Sequence, residues 1–532
     1  MSITNAVLVA SGDLRETANR LGWPAQADLE RNVIAAFARH GVTVQRGHPV
    51  DAGTGHGFIS SQRMGMDVFA GIDRDAPIIV AEAVWQYSHH VLPGLRRHRG
   101  PILTAANWLG EWPGLVGMLN INASLTKMGR SYSSVWSYDM TDAFADEAIR
   151  SWIESGTIEH DTSHVRDLDV GRLDAEAAAT GRRLAGELAD RMAIMGVFDE
   201  GCMGMYNAII DDEYLNPTGL FKERLSQSAL VAEMRLVTTG EARAAYQWLT
   251  SRGMEFRLGS DGATELTEDQ VLDQLRLYTA ALRIADRFGC DTIGIQYQQG
   301  LKDMAPASDL AEGLLNDGNR PPVAHLESGA ELYAGRPLPV FNEVDEGSAV
   351  DGLVTNRVWT ALGMDPATTL HDVRWGDPWE GQYVWVFEIS GAVPPAHLVG
   401  GYAGAVSERQ PPVYFGMGGG TIKGISRPGE IVWSRVFIMD GGLHADIGRG
   451  TVVELPQAET ERRWALTTQQ WPIMHAVLHG VTRDQMMARH RANHIQVVYA
   501  DTAEQADLGV QVKAAMFDAM GIRVHLCGTT PA

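Results

Sequence analysis

The sequence predicts an α/β protein with two N-terminal Rossmann-like α/β domains followed by a C-terminal domain rich in antiparallel β-sheet. Three observations carry this prediction. Strand-like apolar runs alternate with helical segments through the first third, which is the pattern of a parallel sheet. A second alternation opens near Gly171, and from about Val384 the pattern changes to short apolar runs separated by Gly/Pro clusters, as in antiparallel sheet or barrel. At roughly 150 residues per domain, a chain of 532 residues divides into units over 1–170, 171–355 and 356–532.

The elements follow in order. The run 6–10 (AVLVA) reads as a buried strand that stops at Gly12. A helix is expected over 28–39, with apolar Val33, Ile34, Ala36 and Phe37 on one face and Gly41 as its stop. Runs at 76–81 and 101–106 are the next strands, and they lead into Trp85-Gln86-Tyr87 and Asn107-Trp108. Those positions are carboxyl ends of strands, where open α/β sheets place ligands. In the second unit a helix is expected over 173–195, ending at Gly196. The next helix opens with Thr267-Glu268-Asp269-Gln270, a capping box in which Thr267 and Gln270 satisfy free first-turn amides, and it stops at Gly289. The strand 292–295 then delivers Gln296 and Gln298, amides suited to sugar hydroxyls. Runs at 383–387, 431–436 and 452–455 form the antiparallel part, and the tail adds a strand at 495–499 and a helix over 504–519. No internal repeat or low-complexity linker interrupts the chain, so closely packed domains are expected.

Composition narrows the function. Forty-four Lys and Arg stand against 66 Asp and Glu, a net charge of −22 that repels phosphate backbones and anionic lipid surfaces, so neither nucleic acid nor membrane is an expected partner. No apolar run reaches the length of a membrane span. Three scattered cysteines form no disulfide framework and no Cys-x-x-Cys pair, which fits a reducing cytoplasm.

Several motifs bear on chemistry. His475/His479 and His490/His494 are four residues apart, so on a helix each pair shares a face and could reach one metal ion. The stretch Gly416 to Thr421 is glycine-rich but lacks Gly-Lys-Ser/Thr, and reads as a sheet turn or a close backbone approach rather than a nucleotide loop. The clusters Asn342-Glu343-Val344-Asp345-Glu346 and His371-Asp372-Val373-Arg374-Trp375 place carboxylates where apolar runs meet polar sequence. Two carboxylates and one neutral imidazole make a hard, oxygen-rich site for Mn²⁺ or Mg²⁺, and solvated faces or helix caps are the competing reading.

Taken in order, Met203-Gly204-Met205, Gly294 to Gln298, Ala311 to Asn316 with Asn319 to Pro322, and Asn342 to Asp345 resemble pieces of the L-fucose isomerases, grouped broadly with the L-arabinose isomerases. The resemblance continues through His371 to Arg374, Gly418-Gly419-Gly420, Val453 to Pro456, Trp471-Pro472 and Ala492-Asn493-His494. It covers about two thirds of the chain and is weak over the first third.

This resemblance implies that Glu343, Asp372 and His494 hold one divalent cation, usually Mn²⁺, and that Glu343 and Asp372 also move protons during aldose-ketose isomerisation through a cis-enediol. It implies Gln296 and Gln298 as hydroxyl partners, Trp471 as a wall, Asn493 as a further substrate contact, and Trp85 as an aromatic contributed by a neighbouring subunit of a homohexamer. Where the family carries Gly-Gly-Gly-Tyr, this chain has Thr421, followed by Lys423 and Arg427. A smaller residue beside basic groups suggests a sulfonated aldose such as sulfoquinovose as an alternative substrate. A non-catalytic carbohydrate-binding protein is the alternative from a different class, since tandem α/β domains with aromatic and amide strand ends describe such binders too.

Overall fold

The computed structural model describes residues 2–530. Its first unit is a five-stranded parallel sheet, β1 (Asn5–Val9), β2 (Thr43–Arg46), β3 (Ile78–Glu82), β4 (Ile102–Asn107) and β5 (Ser133–Ser137), in the order β2-β1-β3-β4-β5. Helices α1 (Glu16–Arg39), α2 (Gln62–Ala70), α3 (Leu92–Arg97), α4 (Gly114–Lys127) and α5 (Ala143–Ser155) cover both faces. Strand alternation sorts the core: Leu8, Ile79, Ala81 and Leu103 pack with Phe37 of α1 and Trp152 of α5. Val9, Ile78, Val80 and Ile102 pack instead with Leu95 of α3 and Leu125 of α4. The strand order reverses between β1 and β3, so their carboxyl ends splay apart into a crevice.

The helix expected over 28–39 begins twelve residues earlier, at Glu16, and carries Pro24 inside it. Gly22 and Pro24 read as breakers, yet Gly22 lies against Val84, where a Cβ would sit 2.7 Å from the valine side chain.

A second parallel sheet joins Ala193–Phe198 to Leu220–Leu225 on one side and Thr292–Ile295 on the other. The helix expected over 173–195 is shorter, Ala175–Arg191, because Met192 turns to positive φ and releases Ala193–Phe198 as a strand. Helix Glu268–Phe288 has both halves of its capping box and ends at left-handed Gly289. An isolated parallel bridge between Ile293 and Val340 lays the segment before Asn342 along this sheet, so Glu343 emerges at the same edge as Gln296 and Gln298.

The C-terminal region closes on itself. Strand Gly429–Met439 pairs with His494–Ala500, which pairs with Thr368–Trp379, then Gln382–Glu388, Ile473–Leu478, Gly442–Val452 and again Gly429–Met439, all antiparallel. Arg523–Cys527 and Val165–Asp167 extend this barrel-like sheet along Gly442–Val452. All six ring strands contribute to one apolar cluster, among them Val373, Phe387, Trp433, Val452, Met474 and Val497. Closure leaves these strands without free edges. At one contact Gly448 lies under Trp433, so close that a Cβ there would fall 2.2 Å from the indole ring. Helix Glu346–Ala361 runs from the second sheet onto the barrel, and Val350, Val354 and Val358 pack against Val432, Val436 and Val498. No helix among the described residues is long and apolar enough to cross a membrane.

Candidate active site

The barrel's register brings two of the three metal candidates together. Asp372 lies directly opposite His494 across an antiparallel pair, and opposite Glu388 on its other side. Cross-strand partners have neighbouring side chains, and Asp372 Oδ1 stands 3.4 Å from His494 Nε2. Glu343 arrives from the second sheet, with Oε2 3.7 Å from the same nitrogen. Its backbone takes an unusual route: Glu343 and Val344 both have positive φ, 59° and 57°. Consecutive left-handed residues cost roughly 1–3 kcal/mol each, and for β-branched Val344 the conformation is a genuine outlier. Part of the support is Cys202, whose buried thiol donates to the Val344 carbonyl.

Behind His494 stands a buried carboxylate outside the expected ligand set. His494 Nδ1 pairs with Asp345 Oδ2 at 2.7 Å, and the Arg435 guanidinium grips the same carboxylate with two bonds of 2.7 and 2.8 Å. Burial alone would raise the Asp345 carboxyl, but Arg435 and His494 outweigh it and hold it well below the ordinary carboxylate range. Burial likewise opposes a charged His494 ring, yet Asp345 and Asp372 overcome it and lift the ring to about 10. The Glu343 carboxyl moves the other way. Burial pushes it up to about 7, with His494 opposing and Asp372 and Asp309 reinforcing.

Glu343 and Asp372 open onto a cavity with about 400 Å³ of empty space. Arg15, Trp85 and Pro113 reach it from beyond β1, β3 and β4, at the carboxyl edge of the first sheet. Met203 and Gln298 come from the second sheet's edge, and Ser390, Tyr414, Phe415 and Trp471 close the rest. The wall is aromatic with a few polar groups, the usual make-up of a small-molecule site. Arg15 forks onto Asp13 with bonds of 2.9 and 2.6 Å, while Arg374 lies 3.7 Å from buried Glu388 and keeps NH1 without a hydrogen-bond partner among the described residues. Trp85 lies in the same chain as the cavity it lines, whereas the resemblance implied a neighbouring subunit.

Other expected residues serve different ends. Gln296 is fully buried and its Oε1 accepts from the Gln298 amide, so it shapes the loop that presents Gln298. Asn493 is buried with Nδ2 3.1 Å from Met205 Sδ, while its backbone carbonyl accepts from the Val373 amide at 3.2 Å. Thr421 is buried against the Glu408 backbone. Lys423 pairs with Glu408 at 3.0 Å and lies over Trp464, and Arg427 lies over Tyr499. None of these is among the residues that line the cavity. The histidine pairs share no helix face. His475 is in a strand with His479 just beyond it, and His490 caps a short helix while His494 starts the next strand. The triple glycine packs on helix Glu268–Phe288, where Gln274 bonds both the amide and the carbonyl of Gly420.

Arg15, Ser390 and Tyr414 were not legible as site residues, for each comes from a loop without a local pattern. Two further buried acids stand near them. Asp309 bonds the Ser390 hydroxyl and Gln410 Nε2, and Glu312 accepts from Asn342 Nδ2. Burial raises both, Asp309 to about 7.

As a donor set, Glu343, Asp372 and His494 suit a divalent cation that prefers oxygen and imidazole. Among the described residues no group of three or more His, Cys, Asp or Glu side chains is arranged to hold a metal ion as it stands. The fit rests on both carboxylates approaching one imidazole nitrogen, while the other nitrogen is committed to Asp345.

Residues 408–524 match the family model described as L-fucose isomerase, C-terminal domain. No curated protein matches the sequence. The match includes four of the six ring strands and His494, so this part of the chain is similar to the C-terminal domain of the L-fucose isomerases.

Proposed function

We propose that the protein is a metal-dependent aldose-ketose isomerase that works through a cis-enediol on a neutral sugar. The observation that carries this reading is the convergence of Glu343 and Asp372, both lining an aromatic-walled cavity, on the Nε2 of His494. Glu343, Asp372 and His494 would hold Mn²⁺ or a similar cation, which supplies Lewis-acid stabilisation of the negative charge that develops on the sugar oxygens. Glu343, open to the cavity, is placed to take a proton from one sugar carbon and return it to the next. Asp372, beside it, is placed to move a proton between the two hydroxyl oxygens. Trp85, Tyr414, Phe415 and Trp471 flank the sugar and exclude water, while Gln298 offers an amide to its hydroxyls.

A neutral substrate follows from the charge balance. Arg15 and Arg374 already have carboxylate partners, and Lys423 is occupied by Glu408 outside the cavity. Sulfoquinovose is accordingly the less favoured substrate. The test is ketose formation from a panel of neutral and sulfonated aldoses with added Mn²⁺ and with chelator. Metal-dependent ketose from a neutral aldose is expected, whereas binding without turnover across the panel would replace this reading with a carbohydrate-binding one.

A further inference from the structure

Asp345 is placed for more than a structural ion pair. Its carboxylate caps helix Glu346–Ala361 by accepting from the Ser348 amide at 3.1 Å. It also joins that helix to two barrel strands, through Arg435 of Gly429–Met439 and His494 of His494–Ala500. Arg435 NH1 additionally donates to Ser348 Oγ at 2.7 Å. Asp345, Arg435 and His494 are each at most 1% exposed, so no solvent competes for these bonds.

We propose that Asp345, clamped by Arg435, is a positioning residue that fixes the orientation and tautomer of His494, so that the free nitrogen of the ring faces Glu343 and Asp372. The claim rests on the isomerase reading only for its catalytic consequence. An imidazole nitrogen beside an acceptor-only carboxylate must carry the proton. Nδ1 is therefore N–H, and in the neutral ring that a bound cation would require, Nε2 is the nitrogen left with a lone pair for that cation beside the two carboxylates. Without Asp345 the ring is free to rotate about χ2 or to carry its proton on Nε2, and either change removes the lone pair from the site. Arg435 keeps the carboxylate from rotating with it, because both oxygens are engaged at once.

The test uses the full chain as Asp345→Asn, Arg435→Lys and wild type, with three measurements. The first is the ¹⁵N shift pattern of the His494 ring in protein loaded with diamagnetic Mg²⁺, assigned by comparison with His494→Gln. The wild type is expected as the Nδ1–H form, and Asp345→Asn as a mixture or the other form. The second is Mn²⁺ affinity by competition with a fluorescent chelator, expected to fall about 10–100-fold in Asp345→Asn, the usual effect of losing such a partner. The third is turnover, expected to lose kcat with KM changed less than threefold. Arg435→Lys retains one charged contact and is expected to lie between the two. Wild-type ring shifts and Mn²⁺ affinity in Asp345→Asn overturn the proposal. An inactive wild type that still shows the Nδ1–H ring and its loss in Asp345→Asn overturns the isomerase reading and leaves the positioning claim standing.

Discussion

Replacing Glu343 by Gln separates function from stability in a way the geometry specifies. The side chain keeps its size, and its nearest charged partner, His494 Nε2 at 3.7 Å, is too far for a hydrogen bond that the substitution would break. Burial holds the Glu343 carboxyl at about 7 in the folded chain, above its ordinary value of 4.5. A group raised on folding contributes stability that is complete below about 4.5 and is lost as pH rises through about 7. Over that window of about 2.5 units, at roughly 1.4 kcal/mol each, the wild type forfeits up to about 3.5 kcal/mol that the neutral amide does not. With 20% of the Glu343 side chain open to the cavity, the effect belongs toward the lower end. Denaturant unfolding in the presence of chelator is expected to give equal stabilities near pH 4.5 and a more stable variant at pH 8. Turnover of the metal-loaded variant is expected to fall by about 10²–10⁴-fold, the contribution of a positioned acid-base group. Full activity, or a variant less stable at pH 8 than at pH 4.5 relative to wild type, would refute the reasoning.

Three more outcomes follow from other parts of the molecule. Glu82, at the carboxyl end of β3, is buried with both oxygens unpartnered, and burial raises its carboxyl well above the usual range. Wild-type stability should therefore fall with pH above about 4.5, by about 1.4 kcal/mol per unit from this group, and Glu82→Gln should flatten that slope between pH 5 and 6 in unfolding titrations. Lys423→Ala should leave KM for the sugar within twofold and cost more than the ~1 kcal/mol of an exposed pair, because it breaks a mostly buried ion pair with Glu408 that lies outside the cavity; a KM raised tenfold would return Lys423 to the substrate site. Gly448→Ala forces a Cβ into the Trp433 ring, and overpacking of this kind costs about 1–3 kcal/mol, readable as a lowered melting temperature.

Much of the fold was legible because local rules and tertiary packing agree. The capping box at Thr267 and the stop at Gly289 bound the helix as the sequence indicates, and the apolar runs before Gly12 and Trp85 are strands. The strand Thr368–Trp379 was not legible: His371, Asp372, Arg374 and Asp377 interrupt its apolar pattern, and Pro378 argues against a strand interior. Its polar residues are affordable there because Asp372 faces the cavity and Arg374 bonds the Gly110 carbonyl. For the site, single motifs pointed to Glu343, Asp372 and His494 only through their resemblance to a family, since helical spacing paired His494 with the wrong histidine. Cross-strand register, which no local pattern encodes, is what sets Asp372 beside it. Arg15 and Tyr414 meet at the cavity from positions 399 residues apart, a contact made only by the assembled fold.

The most direct test of the proton-transfer account is to run the isomerisation in D₂O with Mn²⁺-loaded protein and analyse the ketose by NMR at partial conversion. Transfer by Glu343 through a cis-enediol predicts deuterium at C1 of the ketose, with none incorporated by Glu343→Gln. Deuterated ketose formed by Glu343→Gln at the wild-type rate would contradict it, because the proton would then pass between the carbons without this carboxyl.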